Sequence, residues 1–282
     1  MKIIECPRDA MQGITNFIPT KTKIDYINEL LKVGFHTIDV GSFVSKKIIP
    51  QLSDTKEVLK NINLSSSKSK LLVIVGNERG AKEAANFDEI SYIGFPFSIS
   101  ETFQTKNINS NIKDSLLLID KIQNTCIKKK KKLVIYFSMA FGNPYGDEWS
   151  IYIVAHWAEK LLQKFGVNIL SLSDTIGTSN PSSITWLFSK LIHEFPNVEF
   201  GAHLHSSATS IKEKINAAYH AGCRRFDGAL LGIGGCPFAE DQLVGNIPTE
   251  KIITILSQSG EKLSFNKSAL DNSLKKAQNI FI

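Results

Sequence analysis

Short runs of β-branched and aromatic residues alternate along this chain with longer stretches in which apolar residues recur every three or four positions. The short runs are typical of strands, and the longer stretches are typical of amphipathic helices. We predict strands at residues 2–6, 36–40, 70–75, 90–94, 133–138, 169–172, 199–203 and 225–229. We predict helices at residues 22–33, 48–59, 78–86, 112–128, 150–165, 181–194, 210–221 and 249–257.

Eight strands that alternate with eight helices are typical of an α/β protein with a parallel sheet. An open doubly wound sheet usually has fewer strands, so the pattern favours a (β/α)8 TIM barrel. No linker rich in glycine, serine or proline marks a second domain. We therefore predict one catalytic barrel over residues 1–262, with a short C-terminal helical extension at 263–282 that packs on the barrel.

Composition narrows the class of protein. The 282 residues are 43% hydrophobic and 21% charged with a formal net charge of +6, which excludes wholesale disorder and fibrous repeats. The dense basic run at 128–132 contains no aromatic residue and is typical of a solvated helix end, so we expect no nucleic-acid partner. No apolar stretch or leader segment predicts a membrane span or export, and the four cysteines lie far apart. We expect a cytoplasmic protein with reduced thiols.

In a TIM barrel, active sites form at the carboxyl ends of the strands. His203 and His205 leave the seventh predicted strand two positions apart, so both imidazoles point to the same face and can share a metal. Asp9, after the first strand, would add a carboxylate oxygen. Two strand-end histidines that make ordinary hydrogen bonds would give the same spacing, and this alternative stays open at this point. Arg8 could stabilise a developing enolate or form a salt bridge.

A glycine-rich segment that begins at Gly232 and runs to Asn246 follows the eighth strand, and such a segment suits either a loop over a ligand or a surface connection. The chain lacks a phosphate-binding loop, a dinucleotide fingerprint and a serine-hydrolase elbow. These absences argue against nucleotide hydrolysis, nicotinamide chemistry and ordinary serine hydrolysis.

Four segments together carry a resemblance that spans nearly the whole chain. They are ECPRDAMQ at 5–12, GSFVS at 41–45, SLSDTIG at 171–177 and GIGGCP at 232–237. In order and spacing they resemble the 3-hydroxy-3-methylglutaryl-CoA lyase family, and the glycine loop with its Cys-Pro is the most specific element. The resemblance implies a retro-Claisen cleavage of 3-hydroxy-3-methylglutaryl-CoA into acetyl-CoA and acetoacetate, in leucine degradation, by an enzyme that often forms homodimers.

The resemblance also implies a ligand set for a divalent metal, namely Asp9, His203, His205 and the amide oxygen of Asn246. Oxygen and nitrogen ligands suit Mg or Mn, with Zn or Co as alternatives. The metal would acidify the tertiary hydroxyl of the acyl-CoA substrate, and Arg8 would stabilise the enolate. His203 and Cys236 are implied in proton transfer.

Other residues match orienting or substrate-binding positions of the family. Asp39 and Asp174 are implied in catalysis, and Gln12, Tyr136, Ser138 and Ser171 in substrate binding. Lys47 could contact a phosphate of coenzyme A or could be only a solvated charge.

The chain departs from the family pattern at a few positions that bear on the substrate. Asp39 stands where the family usually has a glutamate, so its reach toward Arg8 would be shorter. Ala10 and Met11 replace the usual Gly-Leu, Asn143 stands where some relatives have a cysteine, and the loop after Cys236 is more acidic than usual. These differences leave the metal ligands intact and bear on substrate preference.

Two other functions fit parts of this pattern. A related barrel could act as an isopropylmalate-synthase-like acyltransferase or as an aldolase for a 4-hydroxy-2-oxo acid, with similar metal ligands. A regulatory domain such as those synthases often carry would not fit in the residues that follow the eighth strand. A barrel without catalytic function would also fit, but a degenerate site would have lost at least one of the four ligands, Arg8 or Cys236, and none is missing.

Overall fold

The computed structural model describes residues 1–235 and 245–282. In this part of the chain eight parallel strands form a closed barrel in sequence order, as predicted. The strands are β1 (Lys2–Glu5), β2 (Thr37–Ser42), β3 (Lys70–Ile74), β4 (Ile90–Ser98), β5 (Lys132–Ser138), β6 (Ile169–Asp174), β7 (Glu199–Leu204) and β8 (Arg225–Gly228). β8 pairs with β1 and so closes the ring.

Helices follow the strands, and the longer ones cover the outside of the barrel. They are α1 (Pro7–Gln12), α2 (Thr20–Val33), α3 (Thr55–Asn61), α4 (Glu78–Ala84), α5 (Glu101–Ile108), α6 (Ile112–Lys128), α7 (Ile151–Phe165), α8 (Pro181–Glu194), α9 (Ile211–His220), α10 (Thr249–Gln258) and α11 (Lys267–Phe281). None of the described helices is long and apolar enough to cross a membrane.

Three helical predictions differ from the structure. The helix predicted at 48–59 is instead a 3-10 turn at Pro50–Leu52 followed by α3, because the ring of Pro50 cannot continue a helix from the preceding residues. α1 and α5 were not predicted, since each has only six to eight residues and no repeating apolar stripe. α1 bears directly on the site, because it begins with Pro7 and places Arg8 and Asp9 immediately beyond β1.

The apolar core has two layers because successive side chains of a strand face opposite sides of the sheet. The inner layer fills the barrel with residues such as Leu72, Val134 and Ile169. The outer layer lies between the sheet and the helices. At the C-terminal end of the chain, α11 packs against α2, where the rings of Tyr26 and Phe281 meet edge to face at 5.8 Å.

Candidate functional site

A cavity of about 180 Å³ opens at the carboxyl end of the barrel strands. Its polar lining includes Arg8, Asp9, Gln12, Ser45, Asn77, Asn107, Tyr136, Ser138, Ser173, Thr175, His203 and His205. One wall is apolar and includes Val44, Ile48, Ile49, Ile74, Phe103 and Ile108. Convergent polar groups beside an apolar wall are typical of a site for a small organic molecule.

Three of the predicted metal ligands meet in this cavity. The candidate ligand atoms of Asp9, His203 and His205 all lie within 4.8 Å of one another, and all three residues are buried. Neither ring nitrogen of His205 makes a hydrogen bond of ordinary geometry with another described residue. A buried imidazole without such a hydrogen bond is costly, and a metal ion would satisfy it, so this group fits a divalent cation.

Asn246 lies beside Asp9 and completes the predicted ligand set. Its Nδ2 donates to Asp9 Oδ2 at 2.6 Å and to the carbonyl of Ile233 at 3.0 Å, which leaves the amide oxygen for a ligand. Gly234 has a φ of +104°, and a Cβ there would lie 2.7 Å from Asn246 Nδ2 and 2.8 Å from the carbonyl oxygen of Asp9. Glycine at 234 is therefore needed for this close approach.

Arg8 is anchored from two sides. Asp39 Oδ2 accepts hydrogen bonds from Arg8 Nε and Nη2 at 2.8 and 2.7 Å, so the aspartate reaches the guanidinium despite its short side chain. Arg8 Nη1 donates to Asp9 Oδ1 at 2.9 Å and to Gln12 Oε1 at 2.8 Å. The guanidinium is held rigidly at the cavity wall, directly beside a candidate metal ligand.

Electrostatics of the buried site follow from these contacts. Burial would raise the pKa of Asp9, but the charges of Arg8 and His203 and the hydrogen bond from Asn246 lower it below its ordinary value. Burial and the neighbouring His203 lower the pKa of His205 to about 4. Asp9 is therefore ionised and His205 neutral at pH 7, and these are the forms that bind metals.

Sequence reasoning missed Asp227, which lies inside the barrel on β8. Asp227 Oδ2 accepts from Ser171 Oγ at 3.1 Å and lies 3.3 Å from His203 Nδ1, so it orients that imidazole. Arg225 Nε lies 3.6 Å from Asp227 Oδ1. Two charged residues at alternate positions of an otherwise buried strand were the available signal, since both must face the same side of the sheet.

Asp227 also belongs to a second group of potential ligands, with Cys6 and His203. This group fits a metal less well than the first. The Arg225 guanidinium lies against the same carboxylate, and burial together with nearby carboxylates raises the pKa of the Cys6 thiol well above its ordinary value. Cys6 therefore remains a thiol, whereas a metal binds the thiolate.

The other predicted site residues separate into two sets. Gln12, Tyr136 and Ser138 line the cavity, and the buried Tyr136 hydroxyl has no partner among the described residues. The structure places three others off the cavity lining. Ser171 is buried beneath it, the carboxylate of Asp174 is bound by Ser179 and Lys214, and Lys47 is exposed on the surface. Cys236 lies outside the described residues.

Comparison with known proteins identifies the family of this chain. The HMGL-like family model matches residues 2–277. The chain is 33% identical to hydroxymethylglutaryl-CoA lyase YngG of Bacillus subtilis over 95% of this chain and 89% of that protein. It is 32% identical to the mitochondrial hydroxymethylglutaryl-CoA lyase of Rattus norvegicus, over 96% of this chain and 82% of the relative.

Solved structures give the same relationship. An HMG-CoA lyase from Acinetobacter baumannii, in complex with coenzyme A and 3-methylmalate, superposes with a TM-score of 0.90 at 30% identity, covering 99% of this chain and 90% of that one. The HMG-CoA lyase of Bacillus subtilis gives 0.89 at 33% identity, covering 99% and 92%. By its sequence and its barrel, the chain belongs to the HMGL-like family of lyases.

Proposed function

We propose that this chain is a divalent-metal-dependent carbon–carbon lyase that cleaves 3-hydroxy-3-methylglutaryl-CoA into acetyl-CoA and acetoacetate. The observation that carries the proposal is that the Asp9, His203 and His205 ligand atoms and the Arg8 guanidinium share one buried cavity. The named activity of the Bacillus and rat relatives supports it.

Asp9, His203, His205 and the amide oxygen of Asn246 would hold the cation. Their mixture of oxygen and nitrogen atoms favours Mg or Mn, with Zn or Co as alternatives. When bound, a divalent cation supplies Lewis acidity that lowers the pKa of the substrate's tertiary hydroxyl. Asp227 fixes the orientation of the His203 ring from below.

The cleavage itself redistributes electron pairs within the substrate and requires no oxidant or reductant. The tertiary hydroxyl loses its proton, its carbon becomes the ketone of acetoacetate, and the C2–C3 bond breaks with its electrons passing to the thioester oxygen. Arg8 stabilises that negative charge, since Asp39 and Gln12 hold its guanidinium in place before the reaction begins. Protonation of the resulting enolate carbon yields acetyl-CoA.

Proton transfers are assigned to His203 and Cys236, in agreement with the family resemblance. His203 would assist removal of the hydroxyl proton from its place beside the substrate hydroxyl, and Cys236 would return a proton to the enolate carbon. Gln12, Tyr136, Ser138 and Ser171 orient the substrate, and Lys47 meets a coenzyme A phosphate at the surface. Asp174 acts on the site indirectly, through the groups that bind its carboxylate.

Coenzyme A is the acyl carrier that we assign to this chain. The Acinetobacter structure contains coenzyme A together with 3-methylmalate, and this chain covers 90% of it. The proposal also includes a homodimer and a role in leucine degradation. It divides the chain into a barrel at 1–262 and an extension at 263–282.

The test is acetoacetate release by purified protein that has been stripped of metal with a chelator. Mg or Mn should restore turnover, and Asp9→Asn should lower it by at least about 100-fold, since it removes a charged ligand. Asp25→Asn, at an exposed aspartate paired with Lys21, is the matched control and should retain full turnover. Protein that binds metal yet releases no acetoacetate would contradict the proposed substrate.

A further inference from the structure

A buried lysine on α9 lies directly behind the candidate metal ligands. Lys214 is 2% exposed, and its Nζ donates to Asp174 Oδ2 at 2.8 Å, to the carbonyl of His205 at 2.9 Å and to the carbonyl of Gly177 at 3.0 Å. An ammonium group has three donors, and all three are used. Burying this charge is costly, so the contacts must hold together as a unit.

These contacts join the ends of two neighbouring strands. Asp174 is the last residue of β6, and Gly177 follows in the loop toward α8. The Asp174 carboxylate is fixed further by the backbone N–H of Ser179 at 3.1 Å and by the Ser179 hydroxyl at 2.5 Å. The ammonium therefore binds a rigid anchor on the β6 side and a metal ligand's backbone on the β7 side.

The backbone of His205 requires a further contact to fix its position, because His205 lies one residue beyond Leu204, where β7 ends. Beyond the strand, its backbone forms an isolated antiparallel bridge with Asn246, which is itself a candidate ligand from another segment. Ligand positions must be held to within about 0.5 Å for tight binding. The Lys214 ammonium fixes the carbonyl of His205 and thus the position from which the imidazole projects.

We propose that Lys214 is a positioning residue for the metal ligand His205, and the inference rests on the metal site of the proposed function. Lys214 is not among the residues that line the cavity. Its effect should therefore appear in metal affinity and metal geometry, rather than only in turnover.

The chain supplies a matched control in a second buried lysine. Lys23 on α2 is 1% exposed, and its Nζ donates to Asp54 Oδ1 at 2.8 Å and to the carbonyl of Gln51. Lys23 thus has a carboxylate and a carbonyl as partners, as Lys214 does, but none of its partners is a candidate metal ligand. Loss of either ammonium should lower thermal stability, whereas only loss of Lys214 should disturb the metal.

The experiment compares Lys214→Met and Lys23→Met with wild type by calorimetric titration of metal-free protein with Mn and by the visible absorption of bound Co. Lys214→Met should bind Mn at least about tenfold more weakly than wild type, because substitution of a residue that supports a metal ligand usually weakens metal binding by that much. It should also alter the absorption spectrum of bound Co. Lys23→Met should match wild type in both measurements although its Tm falls.

Each result decides a different point. Equal Mn affinity in Lys214→Met and wild type, or equal weakening in both lysine variants, overturns the positioning role and leaves the lyase proposal standing. Wild-type protein that binds no divalent cation overturns the proposed metal site itself. If Lys214→Met does not fold, Asp174→Asn decides instead: weakened Mn binding supports the inference, and unchanged binding overturns it.

Discussion

Two buried carboxyl groups on adjacent strands show that the inner and outer faces of the barrel sheet differ in how they stabilise a charged side chain. Asp39 on β2 points into the barrel and pairs with the Arg8 guanidinium. Glu5 on β1 points outward, where it accepts hydrogen bonds from the Leu230 backbone N–H at 3.0 Å and the Thr249 hydroxyl at 2.5 Å. Within the described ranges, no ion pair joins Glu5 to a lysine or arginine.

This difference appears in their acidity. Burial raises the pKa of Asp39 to about 6, and Arg8 limits the rise through its charge and hydrogen bonds. Burial raises the pKa of Glu5 to about 8, since its neutral donors offset less of the desolvation. At pH 7 the inner carboxylate is therefore ionised and part of a charged network, whereas the outer one is mostly a neutral structural acid. Of these two carboxyl groups, only the one on the inner face, beside the cavity, is charged at pH 7.

The largest expected effect comes from removing the inner cation. Arg8→Met should lower kcat by about 10²–10³-fold, since a preorganised donor to a developing oxyanion is usually worth that much. The measurement is acetoacetate release at saturating metal. Arg224→Met removes an exposed arginine that precedes β8, at the end of the barrel opposite the cavity, and should leave kcat unchanged. A kcat for Arg8→Met close to that of wild type would mean that the inner cation has only a structural role.

A smaller effect is expected when the inner anion is removed and the cation kept. Asp39→Asn preserves shape but replaces a charged partner of Arg8 Nε and Nη2 with a neutral one. We expect a loss in kcat of about 10-fold or more, because Arg8 keeps its contacts to Asp9 and Gln12 but loses its main anchor. Steady-state kinetics beside Arg8→Met check this order. A loss larger than that of Arg8→Met would reverse the assignment of the two residues.

The sequence predicts the inner face less completely than the fold. Short hydrophobic runs between helical stretches predict all eight strands, because each strand of the barrel is buried on both faces. The spacing of His203 and His205 marks the end of β7. Lys214 and Asp227 were not predicted. Whether a buried charged side chain contacts a metal ligand that is distant in sequence depends on how the helices and strands are aligned with one another, and the sequence does not give that alignment. Asp174 matches a family position, yet only the three-dimensional structure shows that its carboxylate faces Lys214 instead of the cavity.

The smallest expected effect is a change in the pH dependence of stability caused by Glu5. It tests the difference between the inner and outer carboxyl groups most directly, because it involves no catalytic step. The pKa of Glu5 is higher in the folded protein, at about 8, than the value of about 4.3 expected in an unfolded chain. The folded state therefore keeps a proton that the unfolded state loses, so the stabilising contribution is full at low pH and is lost as pH rises toward 8. The slope can reach about 1.4 kcal/mol per pH unit.

Glu5→Gln removes this titration while an amide oxygen still accepts from the Leu230 N–H. Urea unfolding between pH 5 and 9 should show wild type losing stability relative to Glu5→Gln up to about pH 8, and no further change above it. Asp39→Asn, measured in the same way, should show its change relative to wild type only below about pH 6, where the pKa of Asp39 lies. Between pH 6 and 8 only the outer carboxylate of the pair should titrate. Parallel profiles for wild type and Glu5→Gln in that window would mean that Glu5 is ionised like Asp39, and that the two faces of the barrel do not differ in the way proposed.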